Sequence, residues 1–422
     1  MTSTSQFDRA LKAYSAMAPL RKARRMFKDF TYGDQWRWPV VDHDGKVVTE
    51  GESVLSLGKT PLTNNLLRSL VKSVVGRFRY MLSQAREKSA AGIDARNQLD
   101  ELDARTLEEF LISGCAIQRV VAENRPGGAG LWVDKVCPAE FFCNRFTDPR
   151  GGDIETIGML HSMDCEQMIM RFAHGSARRA RQIREAFGRC VTAETAFSDG
   201  SGSFFHSAAD GKCRVVEVWT LDYVPSRRST AFSVVWNCRY FTPDGTLLDS
   251  TPSPYSDGGH PFVVKFYPLT DGEVHPFIED IIEQQRHINR LITMIDHVLA
   301  VSAKGVLLIP EGTLGETMNI DEVIKMWNRP GGVIPVMGDK MPVQLNSDAS
   351  TDSAARLLDI EINMMRQISG VSAALQGQTS DSYRQSASMF ESQIQNSAIA
   401  LLDVFETFNA FRAARDIKLT GA

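Results

Sequence analysis

PFIEDIIEQQRHINRLITMIDHVLAVS, residues 276–302, is the stretch whose reading decides the fold. Pro276 suits the first turn of a helix, where its missing N–H costs nothing, and Glu279 and Asp280 complement the positive end of the helix dipole. Ile281, Ile288, Ile292, Ile295 and Leu299 then recur at helical spacing, interrupted by Gln285. A helix of about 27 residues spans ~40 Å at its usual rise, long for a globular protein.

Downstream, the insert 304–346 carries strand-like VLLIP, GVIPVM and MPVQL around a helix at 320–327, which Asn319 and Glu322 open as a capping box. Residues 351–369 are helical, with Ala354, Leu358, Met365 and Ile368 on one face and Gly370 at the end. After VSAALQGQTSD, Ser382 and Gln385 cap a last helix striped by Phe390, Ile394, Ala398, Leu401, Phe405 and Phe408. The region from Phe277 to Arg415 therefore reads as long amphipathic helices around a compact insert, built for assembly and not for catalysis.

Upstream, one helix is expected over 6–30, broken at Gly33, with Trp36 and Trp38 as anchors. A hairpin follows over 40–48, turning at Asp44-Gly45. Leu67, Leu70, Val71, Val74, Phe78, Met81 and Leu82 predict a helix over 61–86, and another covers 95–113. Strands are expected at 116–123, 129–136 and 155–160, and short helices at 164–173 and 177–188. The segments between 213 and 267 form a mainly antiparallel sheet, so the class is α+β.

A chain of 422 residues is long enough for two or three packed units. With 43% hydrophobic and 23% charged residues it has the composition of a folded globular protein. No stretch of eighteen residues is free of charge and the N-terminus has no apolar signal core, which argues against membrane insertion and secretion. The seven cysteines include no C-x-x-C pair and suit a reducing compartment as free, mostly buried thiols. The net charge of −4 gives no basic surplus for gripping nucleic acid. Two local basic runs, Arg21 to Lys28 and Arg178 to Arg189, read as solvated helix faces or as patches toward an acidic partner.

Catalytic motifs fail residue by residue. SLGKT (56–60) ends like a phosphate loop, but Ser53 stands where that motif needs its first glycine. Gly200 and Gly202 begin a dinucleotide fingerprint that Phe205 ends. The eight histidines supply no HExxH, and no G-x-S-x-G nucleophile elbow occurs, so neither a metal nor a cofactor is expected and the chain is not read as an enzyme. Across 371–397 only Asp381, Arg384 and Glu391 are charged. A linker has a similar composition, but this segment joins two striped helices, and a polar, nearly uncharged surface hydrates well and holds phosphates weakly, as the lining of a conduit should.

The order of elements carries a resemblance. GDQW (33–36) after an N-terminal helix, NNLLRSLVKSVVGRFR (64–79), IEDIIEQQRHINRLITMIDHVL (278–299), and ISG (368–370) with GQTSDSYRQSASM (377–389) together resemble the portal proteins of tailed bacteriophages and prophages. The resemblance implies a ring, usually of twelve subunits, at one capsid vertex of the virion, assembled in the host cytoplasm. Double-stranded DNA would pass through its axial channel without sequence-specific contacts. It implies a wing over 1–275, a stem helix over 276–302, a clip over 303–346 and a second stem helix over 347–370. A tunnel loop over 371–382 and a long C-terminal helix with a short tail over 383–422 complete it, leaving the helical crown minimal or absent. Implied partners are the terminase large subunit, the head–tail adaptor and the major capsid protein, with no membrane. The channel residues would be Gln376, Gln378, Thr379, Ser380, Asp381 and Arg384, and the docking residues of the clip Glu311, Glu316, Trp327, Arg329, Asp339 and Lys340. The alternative is a minor head or neck protein that binds such a ring.

Overall fold

The computed structural model describes residues 3–42, 44–85, 96–125, 128–192, 211–225, 232–304, 306–309, 320–327, 343–345, 352–372 and 399–421. The architecture is mixed helix and sheet. The chain divides into two compact units, one of Met1–Asp34, Asn65–Ile282 and Arg366–Ala422, the other of Gln35–Asn64 and Glu283–Met365.

The first unit opens with two helices, Ser3–Ala16 and Ala18–Tyr32, where one was expected. Pro19 explains the break, because its ring cannot donate to the preceding turn and clashes with the carbonyl there. Gly33 then ends the second helix at φ 101°, its N–H bonded to the Asp29 carbonyl. The helices Leu66–Ala85 and Leu99–Ser113 follow.

Two sheets, with a small antiparallel pair of β11 (Leu269–Thr270) and β12 (Glu273–Val274), form the β part of this unit. β3 (Cys115–Arg125) and β4 (Gly128–Lys135) make the expected hairpin. β5 (Phe141–Cys143), β6 (Thr156–Met163), β7 (Cys213–Pro225), β8 (Phe232–Phe241) and β9 (Leu247–Pro252) form a five-stranded antiparallel sheet in sequence order. β10 (Phe262–Phe266) departs from expectation. It pairs antiparallel with β3, not with its sequence neighbours, giving the order β10-β3-β4. Phe262, Val263 and Phe266 are all buried, so this strand needs cover on both faces, which the edge of β9 does not offer.

Successive residues of a strand point to opposite faces. Val216 and Val218 accordingly join the main core with Tyr14, Phe141, Phe142, Ile157 and Phe262, while Cys213 and Val215 join a second cluster with Met168, Phe172 and Ile183. The N-terminal helix covers the main core through Phe7 against Phe241 and Tyr14 against Phe142. The helices Cys165–Phe172 and Ala177–Thr192 cover the second cluster. The second basic run lies on the latter helix, where Arg179, Arg184 and Arg189 pair with Asp249, Glu166 and Asp244.

In the second unit, β1 (Pro39–Val41) and β2 (Val47–Thr49) form the expected hairpin. The helix Glu50–Ser56, not anticipated, begins at once on a capping box made by Thr49 and Glu52. Gly58-Lys59-Thr60 therefore trails a helix C-terminus, whereas a phosphate loop must lead into a helix N-terminus. The long helix Glu279–Lys304, the pair β13 (Val306–Leu308) with β14 (Val343–Leu345), and the helices Ile320–Trp327 and Asp352–Ser369 complete the described elements of the insert and its flanks. GVIPVM and Asn319 lie outside the described residues.

Candidate assembly surface

The interruption of the long helix's apolar stripe has a physical cause. Gln285, Asn289 and Thr293, one turn apart, are each no more than 3% exposed. Together they hydrogen-bond an extended segment of the same unit. Thr293 Oγ1 accepts from the Leu62 N–H at 3.1 Å and Asn289 Oδ1 from the Asn64 N–H at 3.0 Å. Gln285 Nε2 donates to the Asn64 carbonyl at 2.7 Å, and Asn289 Nδ2 donates to Gln35 Oε1 at 2.5 Å. Residues 61–65 belong to no helix or strand, so their backbone groups have no ladder partner, and each one left unbonded here would cost about 1–3 kcal/mol. The three polar side chains supply those bonds.

Glu50 extends this seam. It is 5% exposed, and its carboxylate meets Arg290 at 2.6 Å and Arg286 at 3.1 Å. Burial works against the Arg286 charge, but Glu283 and Glu50 outweigh it and push the guanidinium pKa up. One flank of the long helix is thus committed to residues 35–64, while Met294 and Leu299 stay exposed.

The helix Asp352–Ser369 has two apolar flanks. Met365 and Ser369 are buried, Ala354, Leu358 and Ile362 half-buried, and Glu361 reaches His287 Nδ1 at 3.1 Å. Leu357, Ile360, Met364 and Ile368 form the other flank and are 39%, 53%, 42% and 45% exposed. Ile368, expected on the inward face, lies on this outward one. Residues three and four apart share one helix surface, so these four side chains make a continuous stripe. An exposed row of this kind marks an interaction surface.

The last helix behaves differently. Within the described residues it runs from Leu402 to Gly421, beyond the expected end at Arg415, with a turn at Leu401 before it. Its stripe is spent inside the first unit. Phe408 packs on Phe78 and Phe110 at ring distances of 5.4 and 5.8 Å, and Phe405 and Phe411 are buried beside it. Asp103, with no exposed surface, receives Arg412 at 2.8 Å and Arg415 at 2.5 Å. Tyr267 hydrogen-bonds Asp403, and burial together with that carboxylate pushes the phenol up to about 12. The part of the expected assembly region that lies in this helix, 402–415, thus spends its apolar stripe inside the chain's own first unit.

The description of the phage P22-like portal protein family matches residues 131–415 of this chain, more than half of it. The chain belongs to that family. No curated protein matches it. The match makes this portal-family chain a structural component of a bacteriophage capsid vertex.

Of the residues that the portal resemblance singled out, only Trp327 is described, as the last residue of the helix Ile320–Trp327. Glu311, Glu316, Arg329, Asp339 and Lys340 of the clip lie outside the described residues, as do Gln376, Gln378, Thr379, Ser380, Asp381 and Arg384 of the tunnel loop. Among the described residues, no cluster of three or more His, Cys, Asp or Glu is placed to hold a metal, and no helix is long and apolar enough to cross a membrane. All seven cysteines are free, four of them buried.

Sequence reasoning did not find the Glu50 clamp or the Asp103 pair. The seam did leave a signal. Gln285, Asn289 and Thr293 follow one another at four-residue spacing inside an apolar face, a pattern that calls for backbone acceptors and donors opposite. The first basic run turns out to be partly structural. Arg21 lies 3.5 Å over the Tyr14 ring, and Arg24 donates to the Glu109 carboxylate through Nε at 2.6 Å and Nη2 at 2.9 Å.

Proposed function

We propose that this chain is the ring-forming portal subunit, a channel without a catalytic centre through which double-stranded DNA is packaged and ejected. The observation that carries this reading is the exposed stripe Leu357, Ile360, Met364 and Ile368 in a chain of the portal family. A ring subunit needs one apolar surface left over after its own core is complete, because heterologous contacts repeat around the axis. In this reading the helices Glu279–Lys304 and Asp352–Ser369 are the stem, and the insert between them is the clip that meets the terminase large subunit and later the head–tail adaptor. The sheets and N-terminal helices form the wing, with the last helix joined to it, and the wing faces the major capsid protein.

The polar segment 371–397 would line the channel. A ring of twelve would carry a net charge of about −48, which repels DNA and lets it slide without sticking. Negative-stain images of the purified chain test the ring: closed rings with a central hole are expected, and monomers or open filaments at every concentration contradict it. Lysines placed at Gln378 and Ser380 test the lining, since packaging should slow and become more salt-dependent; unchanged packaging removes the lining argument.

A further inference from the structure

The first basic run keeps charges that neither the core nor the stem absorbs. On the helix Ala18–Tyr32, Arg21 lies against Tyr14 and Arg24 is held by Glu109, but Lys22, Arg25 and Lys28 are exposed. Spaced three residues apart, these side chains form one row along the helix surface. A cavity of about 350 Å³ opens beside the row, where that helix meets the helix Leu99–Ser113 and the end of β4. Lys28 and Lys135 stand in its walls with Glu108 and Glu109, and Tyr32, Ile112 and Cys137 supply apolar surface.

The charges here do not balance. Glu109 accepts from Arg24 at 2.6 and 2.9 Å, Glu108 receives Arg105 at 2.7 Å, and Glu101 on the same helix receives Arg79. Each glutamate is thus matched by an arginine. Asp134, beside Lys135 in β4, is taken by Arg125 at 2.6 Å. Lys22, Arg25, Lys28 and Lys135 are left against Asp29, the one acid of the basic helix, so four cations meet one carboxylate and three positive charges remain. The Lys135 side chain is 31% exposed and lies 3.9 Å from Glu109, beyond hydrogen-bond reach. Its ammonium donates to the Arg105 carbonyl at 3.0 Å, which leaves two further donors. Burial, with Glu109 opposing, lowers its pKa, the mark of an ammonium short of solvation.

We propose that this face docks an acidic segment of a partner polypeptide. One glutamate or aspartate side chain enters the cavity and meets Lys28 and Lys135, while neighbouring carboxylates lie along Lys22 and Arg25. Arg24 and Arg105, fixed by Glu109 and Glu108, hold the walls, and Ile112 and Cys137 receive the methylenes of the entering side chain. A DNA duplex has the right sign of charge and the wrong shape. Its phosphates stand on convex ridges, which can touch the row on the helix but cannot follow a single side chain into the cavity to Lys135.

Fluorescence anisotropy tests this, with a labelled hexaglutamate peptide, a hexaglutamine peptide and a short DNA duplex each titrated with the full chain at low ionic strength. Hexaglutamate should bind, more weakly as salt is added, and hexaglutamine should not. K135Q should weaken hexaglutamate by about tenfold. K28Q should weaken it by about threefold, and both variants should keep the thermal unfolding of the wild type. K28E, a change on an exposed side chain, should abolish peptide binding and gives the same test should K135Q unfold. No hexaglutamate binding at millimolar concentration, or hexaglutamate binding that persists undiminished in K135Q or K28E, overturns the proposal. A duplex that binds more tightly than hexaglutamate and loses that binding in K135Q also overturns it and assigns the face to nucleic acid.

Discussion

The helices Leu402–Gly421 and Asp352–Ser369 look alike in sequence and end differently in the structure. Each carries an apolar stripe at helical spacing. The first buries Phe405, Phe408 and Phe411 in its own unit and locks Arg415 onto Asp103, whereas the second leaves Leu357, Ile360, Met364 and Ile368 in solvent. A stripe therefore states that a face must be buried, and not whether the partner belongs to the same chain. The distinction rests on charge as well as on area. A buried ion pair such as Asp103 with Arg415 commits its helix to one place, because either charge alone in that interior is strongly unfavourable. The outward stripe has no such lock, as suits a surface that must find its partner after the chain has folded.

The largest expected effects break the committed helix. Phe408→Ala should cost about 3–5 kcal/mol through the cavity it opens. Asp103→Ala should cost about 3–5 kcal/mol, because Gln118, Arg412 and Arg415 lose their shared buried acceptor and Arg415 keeps only the exposed Asp416. Urea unfolding followed by tryptophan fluorescence measures both, and a loss below about 1 kcal/mol for either would deny the helix its structural role. Glu50→Gln comes next. It should cost about 1–3 kcal/mol, less than Asp103→Ala because Arg290 is half in solvent and can rehydrate. Hydrogen exchange should quicken in residues 35–64 and stay unchanged in the first unit.

A smaller effect depends on pH. His260 sits against Trp236, Phe262 and Lys418, and burial first, then the Lys418 charge, lower its pKa to about 3, with Asp257 opposing. In the unfolded chain the imidazole takes its proton near the ordinary value of about 6.5. Between those values the unfolded state binds more protons, so stability is complete above about 6.5 and falls as the pH drops toward 3. Going from pH 7 to pH 5 should cost about 1–2 kcal/mol from this group, and His260→Gln should flatten that slope in denaturant midpoints measured at both pH values. The smallest expected change in stability, within about 0.5 kcal/mol, is for serine at Leu357, Ile360 and Met364, since exposed side chains contribute little to the isolated chain.

Much of the fold was legible because periodicity reports local structure directly. The hairpin at Asp44-Gly45, the helix at 320–327 and the β3–β4 pairing follow from turn chemistry and residue spacing. The partner of β10 was not legible, since Phe262 to Phe266 shows that a strand must be covered but not which edge accepts it. The break at Met17 is written in Pro19, whose missing N–H outweighs the longer run of helix-forming residues around it. Glu50 and Asp103 were hidden for another reason. An acidic residue early in a helix reads as a dipole partner, and only the tertiary fold brings the arginines that make it a buried ion pair. The family was legible only in the order of several weak segments, none of which suffices alone.

The central claim is that the Asp352–Ser369 helix keeps its apolar flank for a second copy of the chain. Sedimentation velocity and negative-stain imaging of the wild type beside L357S/I360S/M364S test it most directly. Closed rings are expected for the wild type, and for the variant only single chains whose thermal unfolding is unchanged. Rings that persist in the variant, or a wild type that stays monomeric at every concentration, would contradict it.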